Sequence, residues 1–462
     1  MPGRASSTAN NGQENVILGG IMIKLSPETQ LTASIIKKII DNHKQYDMPR
    51  LQKLENYYLG KNEILNRLMA DPTKPNNKIA NPYANYITDT LTGYFMGEPI
   101  TYSSLEEQIL EELNLIFEYN DEADENVELA RNCSIYGVGY ERLYVDEEGA
   151  VRFKRLDTKE CIPIYDDTIE NELLYVIRYY LDKDIITDKT FMYIEIIGKD
   201  KVDRYKANDS GANMVLIESI PHYFGIVPIA IYKNNEVEVG DFENVIPLID
   251  AYDKLESDSL NDFEYFCDAY LALIGFTADA EDVAAMKENR VILLDKDTDA
   301  KWLIKDEQDS TVENLKIRID KDIHKFSKCP NLSDENFAAN ASGVAIKYKL
   351  VGTENLISVK ERKFKKGLQR RLELISLIQG VKLAGFDWRA IDITFTRNLP
   401  SNDTEIAEIV NKLSNVVSKE TLLAQIPFVE DVQTELDRLD KEQEKNPFYD
   451  LRLGLPGEEE EI

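Results

Sequence analysis

A chain of 462 residues is long enough to bury more than one hydrophobic core, so two or three compact units are expected. Its 84 Asp and Glu against 54 Lys and Arg leave a formal net charge of -30, which argues against free binding to a nucleic-acid surface, because duplex binding runs on cations that displace counterions from phosphates. No apolar run approaches the roughly twenty residues of a bilayer span. Cys133, Cys161, Cys267 and Cys329 lie far apart without paired spacing, so no disulfide framework is expected and a reducing cytoplasm fits.

Residues 1–29 are polar and rich in Gly, Ser and Asn, lack the regions of a targeting peptide, and are expected to form a flexible arm. Ile35, Ile36, Ile39 and Ile40, then Leu51, Leu54 and Tyr58, recur at helical spacing, with Met48-Pro49 marking the break between two helices. A third helix follows Asn81-Pro82 and carries Tyr83, Tyr86, Ile87, Leu91, Tyr94 and Phe95. From Ala150 to Tyr232 the pattern turns to β-branched and aromatic runs, Leu174–Leu181, Phe191–Ile197 and Val215–Ile220, bounded by Gly, Asp and Asn. These predict an antiparallel meander.

From Asn244 to Leu273 the stripe Ile249, Tyr252, Leu255, Phe263, Phe266 and Tyr270 predicts one helix of about thirty residues, with Pro247 tolerated in its first turn. The rest of its surface carries Asp250, Asp253, Glu256, Asp258, Asp262, Glu264 and Asp268 against Lys254 alone, and reads as an acidic wall. Ala280–Lys287 reads as a small helix, and Val291–Leu294 and Trp302–Ile304 as two short strands. Ser310-Thr311-Val312-Glu313 has the form of a capping box, followed by a narrow stripe of Val312, Leu315, Ile319, Ile323 and Phe326. A helix that leaves, a small mixed unit and a helix that returns make a projecting stalk.

Pro330 closes the returning helix, and Asn331 to Ala341 forms a polar, small-residue loop longer than most connections between packed helices, which either does work or flexes at the surface. Asn340 or Ser342 can cap the next helix, which runs to Lys382 with a bend expected at Gly352. That helix is locally basic through Lys347, Lys349, Lys360, Arg362, Lys363, Lys365, Lys366, Arg370 and Arg371. Two readings stand for these cations: contact with phosphates, or ion pairs with acidic faces of the same or a neighbouring subunit. A strand over Ile391–Thr396 and two or three short helices over Thr404–Lys445 follow, and the tail with Pro456-Gly457 and four glutamates is expected to be disordered.

Catalytic signals are weak. The chain has no GxxxxGK[ST] phosphate cradle, and Gly137-Val138-Gly139 lacks the third glycine of a dinucleotide site. His43, His222 and His324 have no ligand spacing, and Asp166-Asp167 reads as a solvated turn. No catalytic, cofactor-binding or metal-ligating residue is expected, and no cofactor.

Four segments carry a family resemblance: Asn76-Asn77-Lys78-Ile79-Ala80-Asn81-Pro82-Tyr83 with Gly93-Tyr94-Phe95-Met96-Gly97-Glu98-Pro99; Phe224-Gly225-Ile226-Val227-Pro228-Ile229 with Lys233-Asn234-Asn235; the loop from Asn331; and Ser342–Leu350. In order and spacing they resemble the portal proteins of tailed double-stranded-DNA bacteriophages, in particular the siphophage type of Gram-positive hosts. The resemblance implies an α+β, mainly helical portal fold with wing, stem, clip and crown, assembling as a cyclic ring, of twelve copies in the particle, around a central channel. Carried over, 30–240 is wing, 241–275 the first stem helix, 276–309 the clip, 310–330 the second stem helix and 331–342 the tunnel loop. Residues 343–400 are a long bent helix and wing strand, 401–446 the crown and 447–462 the acidic tail.

The same resemblance implies a DNA-facing tunnel loop of Asn331, Ser333, Asp334, Glu335, Asn336, Phe337 and Asn340, and a channel-lining stem of Asp250, Asp253, Glu256, Asp258, Asp262 and Glu264. It implies a partner-docking clip with Lys287, Arg290, Lys296, Trp302 and Lys305. Implied partners are further copies of the chain, the terminase large subunit, major capsid and scaffolding proteins, a head-tail connector protein and passing double-stranded DNA, with no membrane. The implied function is a non-enzymatic DNA conduit at one capsid vertex, for packaging, retention and ejection of the genome, in the virion and, during assembly, the host cytoplasm. A helical scaffold without a channel and a carboxylate-based, metal-dependent phosphoryl-transfer enzyme are the alternatives.

Overall fold

The structure is a computed structural model that describes residues 22–72, 74–267, 270–274, 299–303, 309–332, 343–382, 386–397, 403–414, 416–423, 426, 429 and 432–445. The chain divides into two compact units, one of residues 1–331 and 352–398, the other of residues 332–351 and 399–462.

In the first unit, α1 (Ala33–Tyr46) and α2 (Met48–Tyr58) occupy the two predicted helical stretches. Thr32 caps α1 by accepting from Ile35 N at 3.4 Å, and Pro49 stands at the start of α2, where its missing N–H costs nothing. The buried face of α1, Ile36, Ile39 and Ile40, packs on Ile162, Ile164, Ile177, Tyr179, Met192 and Ile194. Each of these isoleucines contributes about 2 kcal/mol by leaving water.

The sheet beneath has the order β1-β5-β6-β7-β8-β9, formed by Ile23–Leu25, Cys161–Asp166, Leu173–Asp184, Lys189–Ile197, Lys201–Asn208 and Val215–Pro221. From β5 to β9 it is the expected antiparallel meander, with Ile177 opposite Ile196 and Tyr179 opposite Ile194. β1 corrects the arm expected over 1–29: residues 23–25 pair in parallel with Ile164–Asp166. Ile23 and Leu25, two apart and so on one face, pack against the isoleucine core.

A second core joins α3 (Tyr83–Met96), α4 (Glu107–Tyr119), α5 (Glu122–Tyr136) and the sheet β10-β3-β4, made of Ile229–Lys233, Val138–Val145 and Val151–Leu156. The long α8 (Gly343–Lys382) buries Ile357, Phe364, Leu368, Leu372, Leu374, Ile375 and Ile378 there. Gly137 closes α5 with φ of 88°, where a Cβ would lie 1.9 Å from the Glu238 carbonyl oxygen, so only glycine fits. Gly367 lets α8 meet Tyr232, whose ring atoms would stand 2.4 Å from an added Cβ. A short pair, β2 (Thr101–Ser103) with β13 (Asp392–Thr394), completes this side.

The helix predicted to reach Leu273 is α6 (Ile246–Cys267), and Tyr270–Ile274 is instead β11, antiparallel to β12 (Asp299–Leu303) with Leu271 opposite Trp302. The apolar run Tyr-Leu-Ala-Leu-Ile is too short for periodicity to separate helix from strand, and backbone pairing with β12 decides it. α7 (Asp309–Ser327) begins one residue before the expected cap, placing Ser310 inside the first turn. It ends with Lys328 in the left-handed region at φ 59°, two residues ahead of Pro330. α8 stays helical through Gly352, where the sequence led to an expected bend. The second unit carries α9 (Asp403–Leu413), α10 (Lys419–Leu423) and α11 (Val432–Lys445), three short helices where the sequence left two or three open. The predicted elements Ala280–Lys287 and Val291–Leu294 lie outside the described residues.

Candidate functional site

The acidic helix α6 carries a polar strap, residues 62–81, along one face. Asp253, fully buried, accepts from Asn62 Nδ2 at 2.5 Å and from Asn81 N and Nδ2 at 2.8 and 2.9 Å. Ile79 N donates to Ser257 Oγ at 2.9 Å, and Asn77 N to Asn261 Oδ1 at 2.7 Å. Asn77 Nδ2 donates to Glu264 at 2.8 Å, Arg67 Nη1 to Asp258 at 2.6 Å, and the Tyr57 hydroxyl to Asp250. Positions 250, 253, 257, 261 and 264 recur every three or four residues, the spacing of one helix face. Burial raises the Asp253 pKa above the usual carboxylate range, against the pull of the Asn62 and Asn81 donors.

The expected acidic wall is therefore corrected at Asp253, which meets the strap and not solvent. Asp250, Glu256 and Asp258 keep partial exposure, each with a partner in the chain; for Glu256 it is Lys316 at 2.9 Å. Asp262 and Glu264 are exposed.

α7 packs on α6 through one side. Ile319 and Ile323 join the core that contains Leu51, Ile87 and Ile249. Tyr83 donates to Asp320 at 2.7 Å and meets Tyr252 edge-on, with ring centroids 5.3 Å apart, while Tyr86 donates to the Pro330 carbonyl at 3.0 Å. Of the stripe read from the sequence, Leu315 and Phe326 are corrected to exposed positions, at 46% and 57%, because the buried side of α7 is narrower than the stripe. Asn331 sits 3.4 Å from Asp320 Oδ2 through its Nδ2. Ser333, Asp334, Glu335, Asn336, Phe337 and Asn340 lie outside the described residues, as do Lys287, Arg290, Lys296 and Lys305; Trp302 is placed only by its β12 register.

Several cations of the basic helix α8 are used inside the subunit. Arg371 is fully buried: Nε and Nη2 donate to Glu141 at 2.9 and 2.8 Å, Nη1 to Glu122 at 3.0 Å, and Nη2 to Asn126 at 2.8 Å. Tyr232 donates to Glu141 at 2.8 Å and Tyr102 to Glu122 at 2.5 Å, so hydroxyl donors offset the excess carboxylate. Burial works against the guanidinium charge, but the field of Glu141, Tyr232 and Glu122 outweighs it and holds the Arg371 pKa well above its ordinary value. Lys360, also buried, reaches Asp241 at 2.5 Å, and Asp241 accepts from Ser134 Oγ at 2.6 Å. Lys363 pairs with Glu236, and Arg370 with Glu373 at 2.7 Å. At Lys360 and Arg371 the phosphate reading is overturned, since neither side chain meets solvent.

Two groups escaped the sequence reading. The strap residues Asn62, Arg67, Asn77 and Asn81 have no periodicity of their own; only the partner spacing on α6 marks them. The outer face of α7, where Arg318, Lys321, Lys325 and Lys328 are exposed, is visible in the sequence as a 3-4-3 spacing.

Residues 37–447, nearly the whole chain, match the family described as phage portal protein, SPP1 Gp6-like. The chain belongs to the phage portal protein family. The portal protein of Bacillus phage SPP1 is 27% identical to it over 456 residues, spanning 92% of this chain and 89% of that protein. The portal protein of Clostridium phage phiCD119 is 27% identical over 436 residues, spanning 86% of this chain and 94% of that protein. The resemblance drawn from four short segments thus extends over most of the sequence. This portal protein is a structural, non-enzymatic component of the phage DNA packaging channel, and its place is the portal vertex of the virion.

Proposed function

We propose that this portal protein assembles as a closed ring, twelve copies in the particle, around a channel for double-stranded DNA. The family match over residues 37–447 carries the reading. It is supported by apolar surface on α6 and α7 that a single chain leaves uncovered: Phe263 is 64% exposed, Leu315 46%, Ile317 43% and Phe326 57%. A ring buries such surface between identical copies through heterologous contacts, which close when the rotation between copies closes.

Within the ring, residues 30–240 and 343–400 serve as wing, α6 and α7 as stem, 276–309 as clip, 331–342 as tunnel loop and 401–446 as crown. The clip, with Lys287, Arg290, Lys296, Trp302 and Lys305, is the docking surface for the terminase large subunit and later for the head-tail connector; capsid and scaffolding proteins meet the outer parts. Of the stem acids, Asp250, Glu256, Asp258, Asp262 and Glu264 contribute to a negative field that keeps moving DNA from sticking.

The tunnel loop Asn331–Ala341 contains Asp334 and Glu335 but no cation, so its contact with DNA is steric and weak. Replacing both acids by lysine is expected to slow translocation severalfold in an in vitro packaging assay, and alanine at both to be milder. Packaging of a full genome by the lysine variant at the normal rate would require the loop to be removed from the DNA path.

A further inference from the structure

We infer that the outer row of α7, Arg318, Lys321, Lys325 and Lys328, is a phosphate-contacting line for duplex DNA in the channel; this rests on the portal reading above. The row extends a face that begins with Thr311 and Asn314, so that positions 311, 314, 318, 321 and 325 recur at alternating steps of three and four and include no carboxylate, and Lys328 follows just past the helix end. From 318 to 325 the helical rise amounts to about 10 Å, and duplex DNA carries a negative charge about every 1.7 Å of its axis, so the line spans several phosphates.

The cations of the row are unspent. All four are exposed, and among the described residues none has a carboxylate within 4.0 Å; α7 pairs elsewhere, Lys316 with Glu256 at 2.9 Å, while His324 Nε2 lies 3.5 Å from Asp320. Lys325 only leans over the Phe326 ring, at 5.4 Å from its centre. In a chain of net charge -30 that is an uncommon surface. The sequence puts acid on the first stem helix and base on α8, but the structure commits most of the α6 acids to the strap and to Lys316, and buries Lys360 and Arg371 of α8. The charge left free along the α7 face is positive.

Its chemistry suits a conduit. Lysine ammonium groups on flexible stems act as hydrated point charges, and a single arginine gives one planar fork, so the row attracts phosphates without a pre-organised clamp. Repeated around a ring it offers equivalent weak sites that DNA exchanges as it moves, within a field that is negative overall. The row is thus the positioning element of the stem, and the α6 acids are chiefly the joint that holds it.

The test uses purified full-length protein, its ring state checked by native mass spectrometry. R318Q/K321Q/K325Q is compared with the wild type and with K38Q/K53Q/K199Q, which removes as many exposed cations from other surfaces. Retention of a short linear duplex and of a closed circle of the same sequence is measured across a salt series. Wild-type rings are expected to retain the linear duplex, which can thread, over the circle, which cannot. The row variant is expected to keep the ring but lose linear retention about tenfold at low salt, with a shallower salt dependence, while the control stays within about twofold. Unchanged retention in the row variant, an equal loss in the control, or equal retention of the circle would overturn the inference. Loss of the ring in the row variant alone would also overturn it, making the row a contact between subunits. Absence of rings in the wild type would instead sink the portal assembly on which the inference rests.

Discussion

Replacing Arg371 by methionine is expected to lower the stability of the chain by about 3–5 kcal/mol, the range for removing one partner of a buried ion pair. Glu141, with no exposed surface, and Glu122, nearly so, would lose the guanidinium that both accept from. Tyr232 and Tyr102 remain as donors, but a hydroxyl does not neutralise a buried carboxylate. The cluster binds α8 to α5, β3 and β10, so the loss is also expected to speed amide exchange along α8. Adding E141Q to the methionine variant is expected to restore part of the loss, because it removes a charge that has no partner. Guanidinium chloride unfolding of the three proteins reads both effects, and a loss below about 1 kcal/mol would show that the cluster is hydrated.

Acid is expected to destabilise the first unit through His43. This ring is buried between α1 and the sheet, with Nδ1 2.8 Å from the Tyr179 hydroxyl, and burial lowers its pKa to about 4 from the usual 6.5. Between those values the unfolded chain binds a proton that the folded chain refuses, so stability rises with pH there and is lost as pH falls from 6.5 towards 4. Above 6.5 the ring is neutral in both states and contributes no slope. At 1.36 kcal/mol per unit the window amounts to about 3 kcal/mol. His43→Gln is expected to remove that component: the difference in urea midpoint between wild type and variant should favour the wild type near pH 7 and shrink or reverse near pH 4. Parallel midpoints across the range would mean that His43 is accessible to protons in the folded state.

These two sites also show where sequence reasoning ends. α1, α2 and α3 are legible because apolar residues at steps of three and four need only a core to face, and β6, β7 and β9 because β-branched and aromatic runs sit between turn residues. α5 escapes because it buries Glu122, Glu125 and Asn126, polar residues whose partners Arg371 and Lys154 lie far along the chain. Asp253 misleads for the same reason: nothing local distinguishes a carboxylate that caps a strap from one that faces solvent. The basic run of α8 allowed two readings, and at Lys360 and Arg371 only the distant acids Asp241 and Glu141 decide between them. The spacing of the α7 row stands in the sequence, but that no described carboxylate pairs with it is seen only in the structure. Portal identity was legible in four short segments although no one of them carries chemistry, because their order along the chain is more specific than any motif.

The ring is the central claim, and native mass spectrometry of the full-length protein over a wide concentration range tests it most directly. A single closed oligomer of many copies that persists on dilution is expected, since heterologous contacts that close leave no open end to shed subunits. Monomers and dimers alone at every concentration, with the chain folded, would contradict it.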